Sequence, residues 1–171
     1  MKPALLVGSI LFSAVLSACS SSDRCGRGDW CACSGGTECN QGCDDVDGCR
    51  IFCSQMDRCG ATCGNDCNLG FDHATDSTLN CGDNCNFTCE EGNTCDARGG
   101  ANCDFTCFNM QACTMQVGAN SRVNCSGADS CVVECLGDCR VFCDDVNNCE
   151  VSCSNGASLS CANGAKVCGS C

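Results

Sequence analysis

The sequence has one histidine, nine Lys and Arg against 21 Asp and Glu, one proline, and few Leu, Ile or Val residues. Each scarcity excludes something. The only histidine, His73, sits in "DHATD" beside Asp72 and Asp76, where a solvated turn is expected. That leaves little means for acid–base catalysis. A net charge of −12 repels nucleic-acid phosphates and anionic lipid, so no nucleic-acid partner is expected. Thin aliphatic content denies the chain a conventional hydrophobic core. The one proline, Pro3, lies near Met1, so proline does not exclude helix. Dense Gly, Asn and Asp without a 3.6-residue period does.

What the chain has instead is 28 cysteines. The first follows an uncharged apolar run from Ala4 to Ala18, preceded by Lys2. This is the length and polarity of a secretory leader, and it is too short for a secure membrane span. The junction Leu16-Ser17-Ala18-Cys19 resembles the bacterial lipobox. The resemblance covers 19 residues and implies that Cys19 becomes a lipidated N-terminus. The implied anchor is a membrane lipid tail, at roughly 0.8 kcal/mol per buried CH₂. In that class an Asp after the cysteine signals inner-membrane retention. In a diderm bacterium Ser20 therefore implies sorting to the outer membrane, with the domain in the periplasm or on the cell surface.

The other cysteines follow a hidden period. Five-residue pieces such as "CVVEC", "CRVFC" and "CEVSC" start at 59, 67, 77, 85 and onward to 167, in steps alternating between 8 and 10. Residues i, i+2 and i+4 share one face of a strand, so each piece points Cys, an apolar residue and Cys the same way. The repeat is 18 residues: strand, three-residue turn, strand, five-residue turn. One column reads Leu69, Phe87, Phe105, Val123, Val141, Leu159 and should form an internal stack. Residues that tolerate turn backbone, Asp66, Asn84, Asn102, Asn120, Asp138 and Gly156, precede those strands.

The expected fold is an all-β, two-sided parallel β-solenoid, of either hand, stapled by disulfides. Coils rising by about 4.8 Å would make a rod roughly 40 Å long. The expected organisation is a signal peptide at 1–18, a lipidated tether at 19–22, irregular N-terminal coils at 23–58 and a regular solenoid at 59–171. In the irregular part, Cys33 falls in the middle column and Cys39 in a turn.

Inward columns meet across turns. Candidate pairs across the short turn are Cys63–Cys67, Cys81–Cys85 and Cys135–Cys139. Across the longer turn they are Cys53–Cys59, Cys89–Cys95, Cys107–Cys113, Cys125–Cys131 and Cys143–Cys149. Pairing within one coil or between stacked coils also satisfies the pattern, because sequence does not determine connectivity. With Cys19 lipidated, an odd number remains and one cysteine lacks a partner inside the chain. Disulfides contribute roughly 2–4 kcal/mol each and place the domain in an oxidising compartment.

The functional expectation is a membrane-anchored structural or recognition lipoprotein without enzymatic activity, cofactor or bound metal. A surface protein or glycan is the kind of partner considered. Outward Phe52, Phe108, Val132 and Phe142 are candidate contact residues. Three alternatives remain open. A thiol-rich chain suits soft metals, and the acidic turns "DDVDG" (44–48) and "DDVNN" (144–148) suit weak calcium binding. The 18-residue coil resembles the calcium β-roll, but the turns lack its Gly-Gly-x-Gly-x-Asp signature. The architecture also resembles disulfide-rich β-solenoid antifreeze proteins, whose Thr-x-Thr rows bind ice. Here Arg and Phe interrupt such rows. The third alternative is thiol–disulfide redox chemistry at Cys168-Gly169-Ser170-Cys171 or Cys31-Ala32-Cys33. A structural bridge is the favoured reading of the terminal CxxC.

Overall fold

The computed structural model describes residues 25, 27–28, 30–43 and 46–171. The leader, Cys19 and the 19–22 tether lie outside the described residues. Among the described residues eleven strands form one sheet: β1 (Trp30–Gly42), β2 (Arg50–Thr62), β3 (Asn68–Asn80), β4 (Asn86–Gly99), β5 (Asp104–Val117), β6 (Ser121–Ser126), β7 (Ser130–Cys135), β8 (Cys139–Asp144), β9 (Asn148–Cys153), β10 (Leu159–Ser160) and β11 (Lys166–Cys168). Strands β1 to β5 stack in parallel, one per coil. Above them β6 and β8 continue the first arm, and β7 and β9 the second. The result is a disulfide-rich β-solenoid of about 7 turns with coils of about 18 residues.

The register follows the period. Ile51, Leu69, Phe87, Phe105, Val123 and Val141 are successive partners, and all are buried. The Phe87 and Phe105 rings stack with centroids 4.4 Å apart and planes 12° from parallel. On the second arm Ala61, Leu79, Ala97, Met115 and Val133 form the facing row. Large and small residues alternate there, which lets facing side chains interdigitate.

The long turns differ from the expectation. They do not interrupt β1 to β5, which run through them as strands of 13–14 residues. At each bend the second residue takes positive φ: Gly35, Gln55, His73, Glu91, Asn109, Gly127 and Asp145. The next residue turns inward, so Met56, Ala74, Met110 and Ala128 are buried in a third core row. Gly92 belongs to that row for a steric reason. A Cβ there would lie 2.1 Å from the Ala74 carbonyl oxygen and 3.0 Å from Met110 Cε.

The three-residue turns are where strands end. Asp66, Asn84, Asn102 and Asn120 adopt positive φ. Gly64, Gly82, Gly100 and Gly118 stack as a ladder in which each amide from Gly82 onward donates to the glycine carbonyl below, at 2.8–2.9 Å. A Cβ on Gly118 would lie 2.5 Å from the Gly100 carbonyl carbon, so the ladder requires glycine. Beside it Asp47, Asn65 and Asp83 each accept, through Oδ1, the amide one coil up, at 2.7–2.8 Å.

The ends correct three expectations. First, the N-terminal coil is regular. β1 pairs with β2 throughout, but with an offset of 20 residues, as in Cys33↔Cys53 and Cys39↔Cys59. Two extra residues between Cys43 and Cys49 absorb the difference. Cys39 therefore points inward and is buried, and Cys31, not Cys33, occupies the middle column opposite Ile51. Secondly, the solenoid stops near Cys153. β10 and β11 fold back antiparallel, and β11 pairs with β8. Lys166 and Cys168 lie opposite the inward Val141 and Cys139, while Val167 lies opposite the outward Arg140 and is buried, with Ala165, outside the solenoid core. Leu159 leaves the internal stack and is 51% exposed, because no parallel coil continues to hold it. Thirdly, about 7 coils give a rod nearer 30 Å than 40 Å.

Candidate functional site

Sulfur lines the core in two columns. The structure joins Cys63–Cys67, Cys81–Cys85 and Cys135–Cys139 across short turns. It joins Cys53–Cys59, Cys89–Cys95, Cys107–Cys113, Cys125–Cys131 and Cys143–Cys149 across long bends. The Cα separations are 6.0–6.7 Å. These lie within the range that a disulfide spans. Cys25–Cys31, Cys33–Cys39 and Cys43–Cys49 extend the series to the first coil. At the far end Cys153–Cys168 and Cys161–Cys171 tie down the fold-back, so the terminal CxxC cysteines do not pair with each other. Three places bring three sulfurs within 4.8 Å of one another: Cys33/Cys39/Cys53, Cys63/Cys67/Cys81 and Cys135/Cys139/Cys168. All nine sulfurs are in disulfides and offer no thiolate to a soft metal.

Among the described residues Cys103 is the free cysteine, and it is buried. Its column partner is Gly99, in a column that reads Cys63, Cys81, Gly99, Val117, Cys135. A Cβ at Gly99 would lie 2.8 Å from Phe105 Cζ. The Phe105 ring thus occupies the space that a second cysteine would need. The Cys103 thiol donates to the Gly82 carbonyl at 3.4 Å and accepts the Cys85 amide at 3.4 Å. Burial pushes its pKa up, which makes it a sluggish nucleophile. The next coil carries Ser121 in that column, and its Oγ accepts the Cys103 amide at 3.1 Å. On the other column Phe71 and Ser77 replace a pair. Ser77 Oγ is buried without a hydrogen-bond partner.

His73 lies on an exposed bend, as its turn sequence implies. Its Nδ1 is 2.6 Å from Asp72 Oδ1 and its Nε2 is 2.6 Å from Glu91 Oε2. The bond to Asp72, then the charge of that carboxylate, raises the His73 pKa. Both ring nitrogens are engaged with carboxylates, and no nucleophile joins them.

The two broad faces differ. On the second-arm face, a groove of about 610 Å³ runs past Thr78, Asp96, Arg98, Thr114, Gln116 and Glu134. It is open and mixed in character, with Leu79, Ala97, Met115 and Val132 also lining it but no aromatic ring, and Gln116 donates to Glu134 at 2.8 Å. On the first-arm face, a depression of about 320 Å³ lies between Trp30, Phe52, Gly70 and Glu90. Trp30 is 68% and Phe52 39% exposed. Gly70 makes the depression: a Cβ there would lie 3.0 Å from Phe52 Cδ2. The four outward apolar residues singled out from sequence do not share a site. Phe142 lies under Arg122, 4.8 Å from its guanidinium carbon. Phe108 sits three coils above Phe52, and Val132 is on the opposite arm.

The adjacency of Trp30 and Phe52 is hidden from an 18-residue register by the two-residue insertion. A Thr lattice is absent from the described first-arm face: the row through Thr88 and Thr106 continues to Gly70 and Phe52 on one side, and to Asn124 and Phe142 on the other. No protein-family model, curated protein or solved structure matches the chain, so function is read from its own chemistry.

Proposed function

We propose that the chain is a lipid-anchored, non-enzymatic lipoprotein whose rigid solenoid holds two fixed faces away from a bacterial outer membrane. The observation that carries this reading is the series of disulfides from Cys25 to Cys171, with one across the long bend of every coil but the third. A chain cross-linked this densely cannot open and close around a substrate, but it keeps a surface in one shape. Such pre-organisation lowers the entropic cost of recognition. The lipobox-like Leu16–Cys19 and the oxidising compartment implied by the disulfides agree with export and anchoring. Ser20 supports sorting to the outer membrane.

Intact-mass analysis of the membrane fraction should show a diacylated or triacylated Cys19 N-terminus, and Cys19→Ala should leave the precursor unprocessed. Recovery of an unmodified Ser20 or Cys19 terminus would overturn the anchor. A screen for hydrolase and disulfide-reductase turnover should find none. Turnover lost in His73→Ala or in Cys168→Ser/Cys171→Ser would overturn the non-enzymatic reading.

A further inference from the structure

The first-arm depression combines features that nothing else on the described surface shares. Its outer row is Trp30, Arg50, Asn68, its middle row Phe52, Gly70, Thr88, and its inner row includes Asp72 and Glu90. All line one cavity. Exposed aromatic rings in a rigid groove offer apolar area at little entropic cost, and the polar groups around them give direction.

Charge selects among ligands. Arg50 repels a cation that the rings would otherwise attract. Asp72 and Glu90 repel an anion, and burying them in lipid would carry a heavy desolvation cost. His73 Nδ1 holds one Asp72 oxygen at 2.6 Å, which orients that carboxylate. A neutral ligand with an apolar face and a rim of hydroxyls suits both the rings and the mixed charges. We infer that the groove between Trp30 and Glu90 binds a neutral saccharide chain. The pyranose C–H face packs on Trp30 and Phe52. Its hydroxyls donate to Asp72 and Glu90 and accept from Arg50 and the Asn68 amide nitrogen. The absent side chain of Gly70 lets the sugar ring sink beside Phe52. The groove crosses four coils, about 14 Å along the axis at about 4.8 Å per coil, which accommodates an oligosaccharide more readily than a single sugar. This inference rests on the reading of the domain as a recognition module.

Trp30 is the sole tryptophan in the chain and reports on its own site. Purified, oxidised full-length protein would be titrated with cellohexaose, hexa-N-acetylchitohexaose and mannohexaose, following Trp30 emission and calorimetric heat. At least one should give a saturable response. Phe52→Ala and Gly70→Thr should each weaken it tenfold or more. Thr already occupies the Gly70 row at Thr88 and Thr106, so Gly70→Thr fills the groove without demanding a new fold, and an unchanged melting temperature would verify that. Phe142→Ala, on the same face beyond the groove, should bind as the parent does. No saturable response to any of the three neutral hexasaccharides overturns the site. So does a tighter response to tetramethylammonium, to a heparin hexasaccharide or to phosphatidylcholine vesicles. Chromatography of the titrated sugar separates the two readings. Cleavage would overturn the non-enzymatic function while supporting the groove. Absence of binding would overturn the groove and leave the non-enzymatic function standing.

Discussion

The fourth and seventh coils are built from the same pattern and end up differently. In β4, Phe87, Cys89, Cys95 and Ala97 are all buried. In β9, Cys149, Val151 and Cys153 point inward in the same register, yet each is only half-buried. β4 has a parallel coil on both sides, whereas β9 pairs only with β7 along its length. A partial cap reaches β9: Lys166 Nζ donates to the Cys149 carbonyl at 2.6 Å, and Cys168 holds Cys153. The inward row thus becomes a core through its neighbours, and an alternating sequence alone only makes it eligible. The opposite end is finished differently. Gln41 takes a buried core position in β1 and its amide donates to the Cys33 sulfur at 3.5 Å. A polar group there marks where the apolar stack stops.

The largest test of this contrast is a single-residue deletion. Deleting Thr106 in β5 should turn Cys107 and its successors outward and abolish cooperative folding, measured by hydrogen exchange and by the yield of protein with thirteen correct disulfides. Deleting Asn155, beyond β9, should leave the central coils protected. Equal damage from both would mean that the ends are as constrained as the middle.

Side-chain truncation should grade in the same way. Phe105→Ala should cost about 3–5 kcal/mol, since it opens a cavity beside a stacked ring. Val151→Ala should cost less than about 1 kcal/mol, because the site is already half open. Denaturant melts would show both. A Val151→Ala loss as large as that of Phe105→Ala would break the comparison.

Disulfide removal comes next. Replacing Cys107 and Cys113 by Ser should lower global stability by roughly 2–4 kcal/mol. Replacing Cys161 and Cys171 should release only residues 159–171 to fast exchange, with the central melting transition hardly moved. A smaller energetic change is expected in the double variant Gly99→Cys/Phe105→Val. A new disulfide from the introduced thiol to Cys103 should offset much of the lost ring, and no free thiol should then be titratable among the solenoid cysteines after denaturation. Persistence of a free Cys103 would show that the ring is not what kept that pair apart.

The smallest effect concerns His73. Its folded pKa lies above the ordinary value, so its stabilising contribution is complete below the unfolded value of about 6.5. That contribution fades as pH rises through the folded value. An NMR titration should show the raised midpoint, and Asp72→Asn should bring it down. The exposed site predicts almost no change in melting temperature.

Much of this was readable from residue order. The period, the inward columns and the stack from Leu69 to Val141 follow from strand alternation, which is local. The sulfur pairs lie four or six residues apart across a turn, so the bends themselves bring them together. The bent continuity of β1 to β5 was hidden because Gln55, His73 and Glu91 carry no sequence mark of positive φ. The register of the first coil was hidden because two inserted residues shift it without altering the cysteine density.

Sequence by itself determined the coil length, the parallel stacking and the sulfur columns, because each follows from spacing along the chain. Only the tertiary structure decided which thiol stays free, since that depends on the Phe105 ring filling the volume beside Gly99. It also decided that Leu159 leaves the core, because the last segment finds a partner in β8 by turning back. And it brought Trp30 and Phe52 to one groove over Gly70, across coils whose offset is 20 residues in one step and 18 in the next. Contacts of that kind depend on side-chain volume meeting side-chain volume between coils, which spacing along the chain does not encode.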